Sequence, residues 1–293
     1  MNLTLTVLEI VAPVFGLAAA GFAWVKLGFE FRIQFVTRLA MTLAVPCLIF
    51  TALMQSDIAP HDLTVMLLAA VLGYALLTLA FFVLIRLAGL ETRTFLAPMI
   101  FGNTGNLGLP LALFAFGDQG LGYALVIFAI TGIYGFSFGV WVVSGGGSLG
   151  KTLREPLVWA ALLGTLFLWN DWHTPPVITR TLVLTGQMAI PLMLLTLGVA
   201  VARLRPQNLR RALWLSLLRV GICIALAVAI GRWLDLAPVA FGVLVLQFST
   251  PTAVTSYMLA EKYGADSDAV AGLVVVSTVL AVLSLPITLA FLI

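Results

Sequence analysis

The 293-residue sequence predicts an all-α membrane protein: ten transmembrane helices, arranged as two inverted five-helix repeats with crossed, broken helices 4 and 9. Three observations carry that reading. Hydrophobic residues make up 62% of the chain and charged residues 9%, against about 45–50% and about 25% in a soluble domain. Apolar runs near the roughly 20 residues that a helical bilayer crossing needs follow one another along the whole length, which leaves no room for a separate soluble domain. Two of those runs are interrupted at corresponding places by Gly, Pro and amide residues. The net charge of +3 first marks cytoplasmic loops in such a chain and does not imply nucleic acid. Cys47 and Cys223 both lie in apolar runs and read as small hydrophobes, so neither a disulfide framework, a metal site nor a cofactor is expected. The N-terminus does not read as a cleaved signal, because no basic stretch precedes the first apolar run and Glu9 interrupts it.

Charged residues, Gly and Pro punctuate the hydropathy into ten segments: 5–26, 33–56, 62–88, 93–117, 119–143, 153–170, 177–202, 208–233, 237–263 and 266–292. With the N-terminus outside, Lys26, Arg32, Arg38, Arg86, Arg93, Lys151, Arg154, Arg203, Arg205, Arg210, Arg211 and Lys262 fall in inner loops. Only Arg180 and Arg232 fall outside, and Arg219 lies within a span. That bias places both termini outside by the positive-inside rule, although the last inner loop, with Glu261, Asp266 and Asp268, is net acidic.

Ten is five plus five, and an odd number of crossings per half makes any internal repeat inverted. The predicted halves are residues 1–143 and 153–293, joined by a short cytoplasmic linker at 144–152. Segment two carries Pro46 to Thr51 and segment seven Pro191 to Thr196, a shared Pro-x-x-x-x-Thr. Segments four and nine both open with Leu-Ala-Pro-x-x-Phe-Gly, at Leu96 and Leu236. The two similarities sit at offsets that differ by five residues, so either the halves differ by an insertion or deletion or one match is coincidental. Inverted repeats with paired broken segments characterise secondary transporters with a midplane site.

Segment four contains Gly102-Asn103-Thr104-Gly105-Asn106-Leu107-Gly108-Leu109-Pro110. Gly costs about 1 kcal/mol and Pro about 3 kcal/mol relative to Ala in a helix interior, so the helix is expected to break here. The matching stretch of segment nine is Gln247-Phe248-Ser249-Thr250-Pro251-Thr252, where Thr250 is expected to cap a second half-helix and Pro251 to take its first position. Such backbone survives at membrane depth only inside protein or beside water. Half-helix N-termini carry partial positive charge, so a centre built from both breaks suits an anion. Asn103, Thr104, Gly105, Asn106, Gln247, Ser249, Thr250, Pro251 and Thr252, together with Arg219, are the candidate substrate-binding residues. Gly102, Pro110, Pro46 and Pro191 are the candidate break or hinge positions. The plainer reading is that these side chains only cap their own loosened backbone, or, for Gln247, bond another helix.

Asn103-Thr104-x-x-x-Gly108-x-Pro110-Leu111 resembles the fourth-helix signature of the auxin efflux carrier family, which includes the plant PIN-formed carriers and bacterial relatives. Pro251 through Ala260-Glu261-Lys262-Tyr263 to Leu285-Pro286-Ile287-Thr288-Leu289 resembles that family's last two helices. The resemblance implies a scaffold of segments 1, 2, 6 and 7 and a moving transport domain of segments 3–5 and 8–10, with the broken helices crossing at Asn103 and Pro251. It implies a transporter of a small organic anion, with malonate and other carboxylates associated with the bacterial relatives and auxin as one further substrate. The long hydrophilic loop of the plant carriers is here replaced by Ser144 to Gly150.

Arg219 is the one base deep in a span. It lies eight residues beyond Arg211, about 12 Å along a helix and too far to snorkel easily. Two readings stand: an anion-attracting residue on the inner route to the crossover, or a cation paired with backbone carbonyls at a helix C-terminus. Glu9 reads as interfacial, and His61 and His173 as solvated outer-loop residues. No His, Asp or Lys near the midplane is available as a catalytic base, which disfavours an enzyme. A channel or a membrane sensor for a small anion is the alternative function. The expected partners are the anion, the lipid bilayer of the bacterial inner or plasma membrane, and a second copy if the chain forms a homodimer.

Overall fold

The computed structural model describes residues 3–55, 58–145, 156–204 and 208–293. Most of the predicted linker, 144–152, lies outside them. Among the described residues helix is the only extended regular structure, beside an isolated bridge between Gly102 and Thr252. The helices are α1 (Leu3–Lys26), α2 (Ile33–Leu39), α3 (Val45–Met54), α4 (Pro60–Leu87), α5 (Thr92–Ile100), α6 (Leu109–Tyr134) and α7 (Val140–Ser144). They continue as α8 (Pro156–Trp169), α9 (Pro176–Gln187), α10 (Ala189–Arg203), α11 (Leu209–Trp233), α12 (Pro238–Ser249), α13 (Val254–Tyr263) and α14 (Ser267–Leu292). Helix covers every apolar segment read from the sequence, with ends displaced by a few residues.

Among the described residues seven stretches are long and apolar enough to cross a bilayer: Leu5–Lys26, Ile33–Met54, His61–Leu87, Thr104–Ser144, Pro176–Arg203, Leu209–Trp233 and Ser267–Leu292. Trp159–Trp169 and Pro238–Ser249 are shorter apolar helices. The chain is therefore a multi-pass membrane protein. Its surface agrees: all seven tryptophans are exposed, as interfacial or lipid-facing rings are, while Asn103, Thr104, Arg219, Gln247, Thr250 and Thr252 are buried. A soluble domain has the opposite distribution.

Local sequence sets the ends and kinks. Pro60, Pro176 and Pro238 start α4, α9 and α12, where a missing N–H costs nothing. Asp266 accepts from the Ala269 N–H at 2.9 Å and caps α14. Pro46 follows a wider π-helical stretch, Ala40–Ala44, and Pro191 follows the interruption between α9 and α10. Each proline removes one ladder bond, so both helices are irregular just before it. Gly117 breaks α6 with φ 64 and ψ −158, a conformation that a Cβ would strain.

The helices pack in two groups. In one, α1 lies along α10, α3 against α8 and α9, and α2 against α10. In the other, α12 packs on α6 and α11, α11 on α14 and α4, α5 on α4, α7 and α14, and α13 on α14. Smaller contacts of α1 with α6 and α14, and of α10 with Thr104–Gly108, join them. Long-range side-chain bonds fall within the groups. Arg203 donates to the Phe31 carbonyl at 2.6 Å in the first. In the second, Arg93 donates to the Val143 and Tyr263 carbonyls, both at 3.1 Å, and the Tyr74 and Thr131 hydroxyls share a hydrogen bond.

Candidate functional site at the helix crossover

Segments four and nine both lose their helix inside the second group, and the two breaks pair with each other. The Asn103 N–H donates to the Pro251 carbonyl at 2.7 Å and the Ala253 N–H to the Phe101 carbonyl at 3.1 Å. Two backbone groups that each break had freed thus find partners across it, as burial demands. A Cβ on Gly102 would collide with the Thr250 hydroxyl and lie 3.0 Å from the Arg219 Nη2, so only glycine permits this approach.

Four helix ends meet here, and the protein treats them differently. The C-terminal ends, of α5 and α12, are supplied with side-chain donors. Thr252 Oγ1 donates to the Pro98 carbonyl at 3.2 Å, Ser249 Oγ to Leu246 at 2.8 Å and Thr250 Oγ1 to Gln247 at 2.6 Å. Arg219 Nε donates to the Met99 carbonyl at 3.0 Å and Nη1 to the Thr250 carbonyl at 2.5 Å. The N-terminal ends are left open. Asn103 Oδ1 accepts from the Asn106 N–H at 3.3 Å, but the Thr104 and Gly105 N–H groups, and those of Val254 and Thr255 at the start of α13, have no acceptor among the described residues. Asn103 Nδ2 and both polar atoms of Gln247 are also buried without partners. Gln247 fills the space beside Gly108, where a Cβ would overlap its carboxamide.

Gly102, Asn103, Thr104, Gly105, Asn106, Gln247, Ser249, Thr250, Pro251, Thr252 and Arg219 thus gather at or within about a helical turn of one crossing. All except Asn106 are buried. Pro110 is the second residue of α6, which follows directly on the π-helical stretch Thr104–Gly108. Pro46 and Pro191 belong to the other helix group. Two local assignments are corrected. Thr250 ends α12 instead of capping α13: its Oγ1 turns back to the Gln247 carbonyl, and Pro251 and Thr252 pair with the other break before α13 begins. Pro251 is accordingly not the first residue of α13, which starts at Val254 after Ala253. Arg219 has the partners that its carbonyl-pairing reading expected.

Three contributors escaped the sequence reading. Ser277 Oγ, on α14, accepts from the Thr252 N–H at 3.0 Å; a Ser277-Thr278 pair inside an apolar run was the available signal. Met193 and Phe128 crowd Gly105, the Met193 methyl standing 2.8 Å from where a Cβ would lie. Met193 sits two residues past Pro191 and brings the first helix group to the crossover.

The sequence profile of the family described as "Membrane transport protein" matches residues 6–145 and again 140–289. The chain is also 31% identical over 266 residues to an uncharacterized transporter of Methanothermobacter thermautotrophicus, a match that covers 86% of each chain. Together with the Asn103 to Pro110 signature, these matches show that the chain belongs to the auxin efflux carrier-like family of membrane transport proteins.

Proposed function

We propose that the chain is a secondary transporter that carries a small organic anion, a carboxylate, by alternating access, with the crossover as its binding site. The observation that supports this best is the asymmetry of the four helix ends. Side-chain donors cover the C-terminal pair, whereas the N-terminal pair presents unpaired N–H groups beside the free Asn103 amide, the arrangement that favours an anion. In this reading Thr104, Gly105 and Asn106 contribute backbone, Asn103 and Gln247 contribute carboxamides, and Ser249, Thr250, Pro251 and Thr252 hold the second break in register. The fold is ten crossings in two inverted halves, 1–143 and 153–293, joined at 144–152. The group containing α1 and α10 is the scaffold; the group containing the crossover moves against it in the inner or plasma membrane, both termini outside.

Reconstitution in liposomes tests the proposal. Uptake of radiolabelled malonate or indole-3-acetate should saturate and should be accelerated by unlabelled substrate on the opposite side, the signature of a carrier. Ionic conductance without counterflow would favour a channel, and absence of saturable uptake with thermal stability unmoved by either compound would overturn the reading.

A further inference from the structure

We infer that Arg219 is a fixed counter-charge to the crossover, a positioning residue that replaces the dissolved cation such a crossing would otherwise need and leaves about one positive charge for a single substrate carboxylate to meet. The inference rests on the carboxylate-carrier reading only for the substrate. Arg219 is 1% exposed and has no acidic partner among the described residues. Its guanidinium instead spans the two breaks, Nε on Met99 at the end of α5 and Nη1 on Thr250 just past α12. Carbonyls at the C-terminal ends of broken membrane helices are where transporters of this kind bind a coupling cation. Here a side chain that stays charged at every physiological pH already sits on them.

The charges balance on this arrangement. Each helix end carries about half an elementary charge. The two C-terminal ends together cancel Arg219, and the two N-terminal ends leave about one positive charge. A monocarboxylate, or one carboxylate of a larger anion, neutralises it. Arg219 bonds the carbonyl side of the crossing, so it does not itself need to touch the substrate.

Hydrogen exchange of the Asn103 and Ala253 amides, the two donors that pair the breaks, reads this role without any substrate. Arg219→Ala should exchange both at least about tenfold faster while α1 and α10 keep their protection. Millimolar guanidinium should restore protection, and Arg219→Lys should retain part of it, because a single ammonium cannot span both carbonyls as the fork does. Gly102→Ala keeps the arginine but crowds it and Thr250; it should show the same local loss, and it carries the test if Arg219→Ala does not fold. In wild-type liposomes, malonate uptake should be unchanged when sodium is replaced by choline. Crossover amides that stay protected in Arg219→Ala and Gly102→Ala, protection that guanidinium does not restore, or uptake that requires sodium would each overturn the inference. Absence of all uptake with the exchange results as expected would sink the carrier reading alone.

Discussion

Asn103 uses one carboxamide twice. Its Oδ1 caps the helix that restarts at Thr104, while its Nδ2 is buried without a partner. Removing the cap costs about 1 kcal/mol, and leaving a buried donor unpaired costs about 1–3 kcal/mol, so a purely structural Asn would waste the second group. Asp separates the two uses. Asn103→Asp keeps the cap oxygen and suits a helix N-terminus, but it places a negative charge where the substrate carboxylate is proposed to bind. Its melting temperature should stay near wild type while malonate uptake falls at least about tenfold. Asn103→Ala should lose both uptake and about 1 kcal/mol of stability. Wild-type uptake in Asn103→Asp would make the amide structural. Asn103 was legible in the sequence because a Gly-Asn-Thr-Gly stretch contradicts an apolar helix. The cap direction at Thr250 was not, because the same residues suit either side of a break and only the partner strand decides.

Among whole elements, α1 and α10 make the closest pairing. A Cβ on Gly198 would collide with the Ala18 carbonyl, and one on Gly21 with the Leu195 carbonyl, whereas Gly16 on the same helix has nothing within 4 Å. Small residues let helix backbones meet where lipid supplies no hydrophobic drive to association. Gly198→Ala should therefore lower stability by about 1–3 kcal/mol through overpacking, with Gly16→Ala neutral or slightly stabilising; thermal denaturation of both variants in detergent measures the difference. Equal stability in the two would show that α1 yields to the added methyl. Helix positions could be read from hydropathy and from Pro60, Pro176 and Pro238 because both depend on neighbouring residues. The α1–α10 pairing could not, nor could the approach of Met193 and Ser277 to the crossover. Lipid and protein core are equally apolar, so an apolar helix does not announce which face is buried.

At the scale of the molecule, arginines on backbone carbonyls tie each helix group internally, Arg203 on the loop carbonyl of Phe31 in one and Arg93 on Val143 and Tyr263 at helix ends in the other. Two groups each tied internally are what the proposed movement of one against the other requires. Arg93 also bears on topology. It begins α5, and its bond to Val143 returns the chain, after the 41-residue apolar stretch Thr104–Ser144, to the level from which it left. In the proposed ten-crossing fold the break at Gly117 turns the chain back there, making two crossings. The parity of every later loop follows. On a background without Cys47 and Cys223, single cysteines at positions 61, 118 and 173 should react with a membrane-impermeant maleimide from outside intact cells. Those at 146 and 207 should react only after permeabilisation, as the proposed orientation expects from twelve basic residues inside against two outside. If Thr104–Ser144 crossed once, position 146 would instead label from outside together with 61. That result would reverse the orientation of everything after Gly117, so the crossing helices could no longer come from inverted halves.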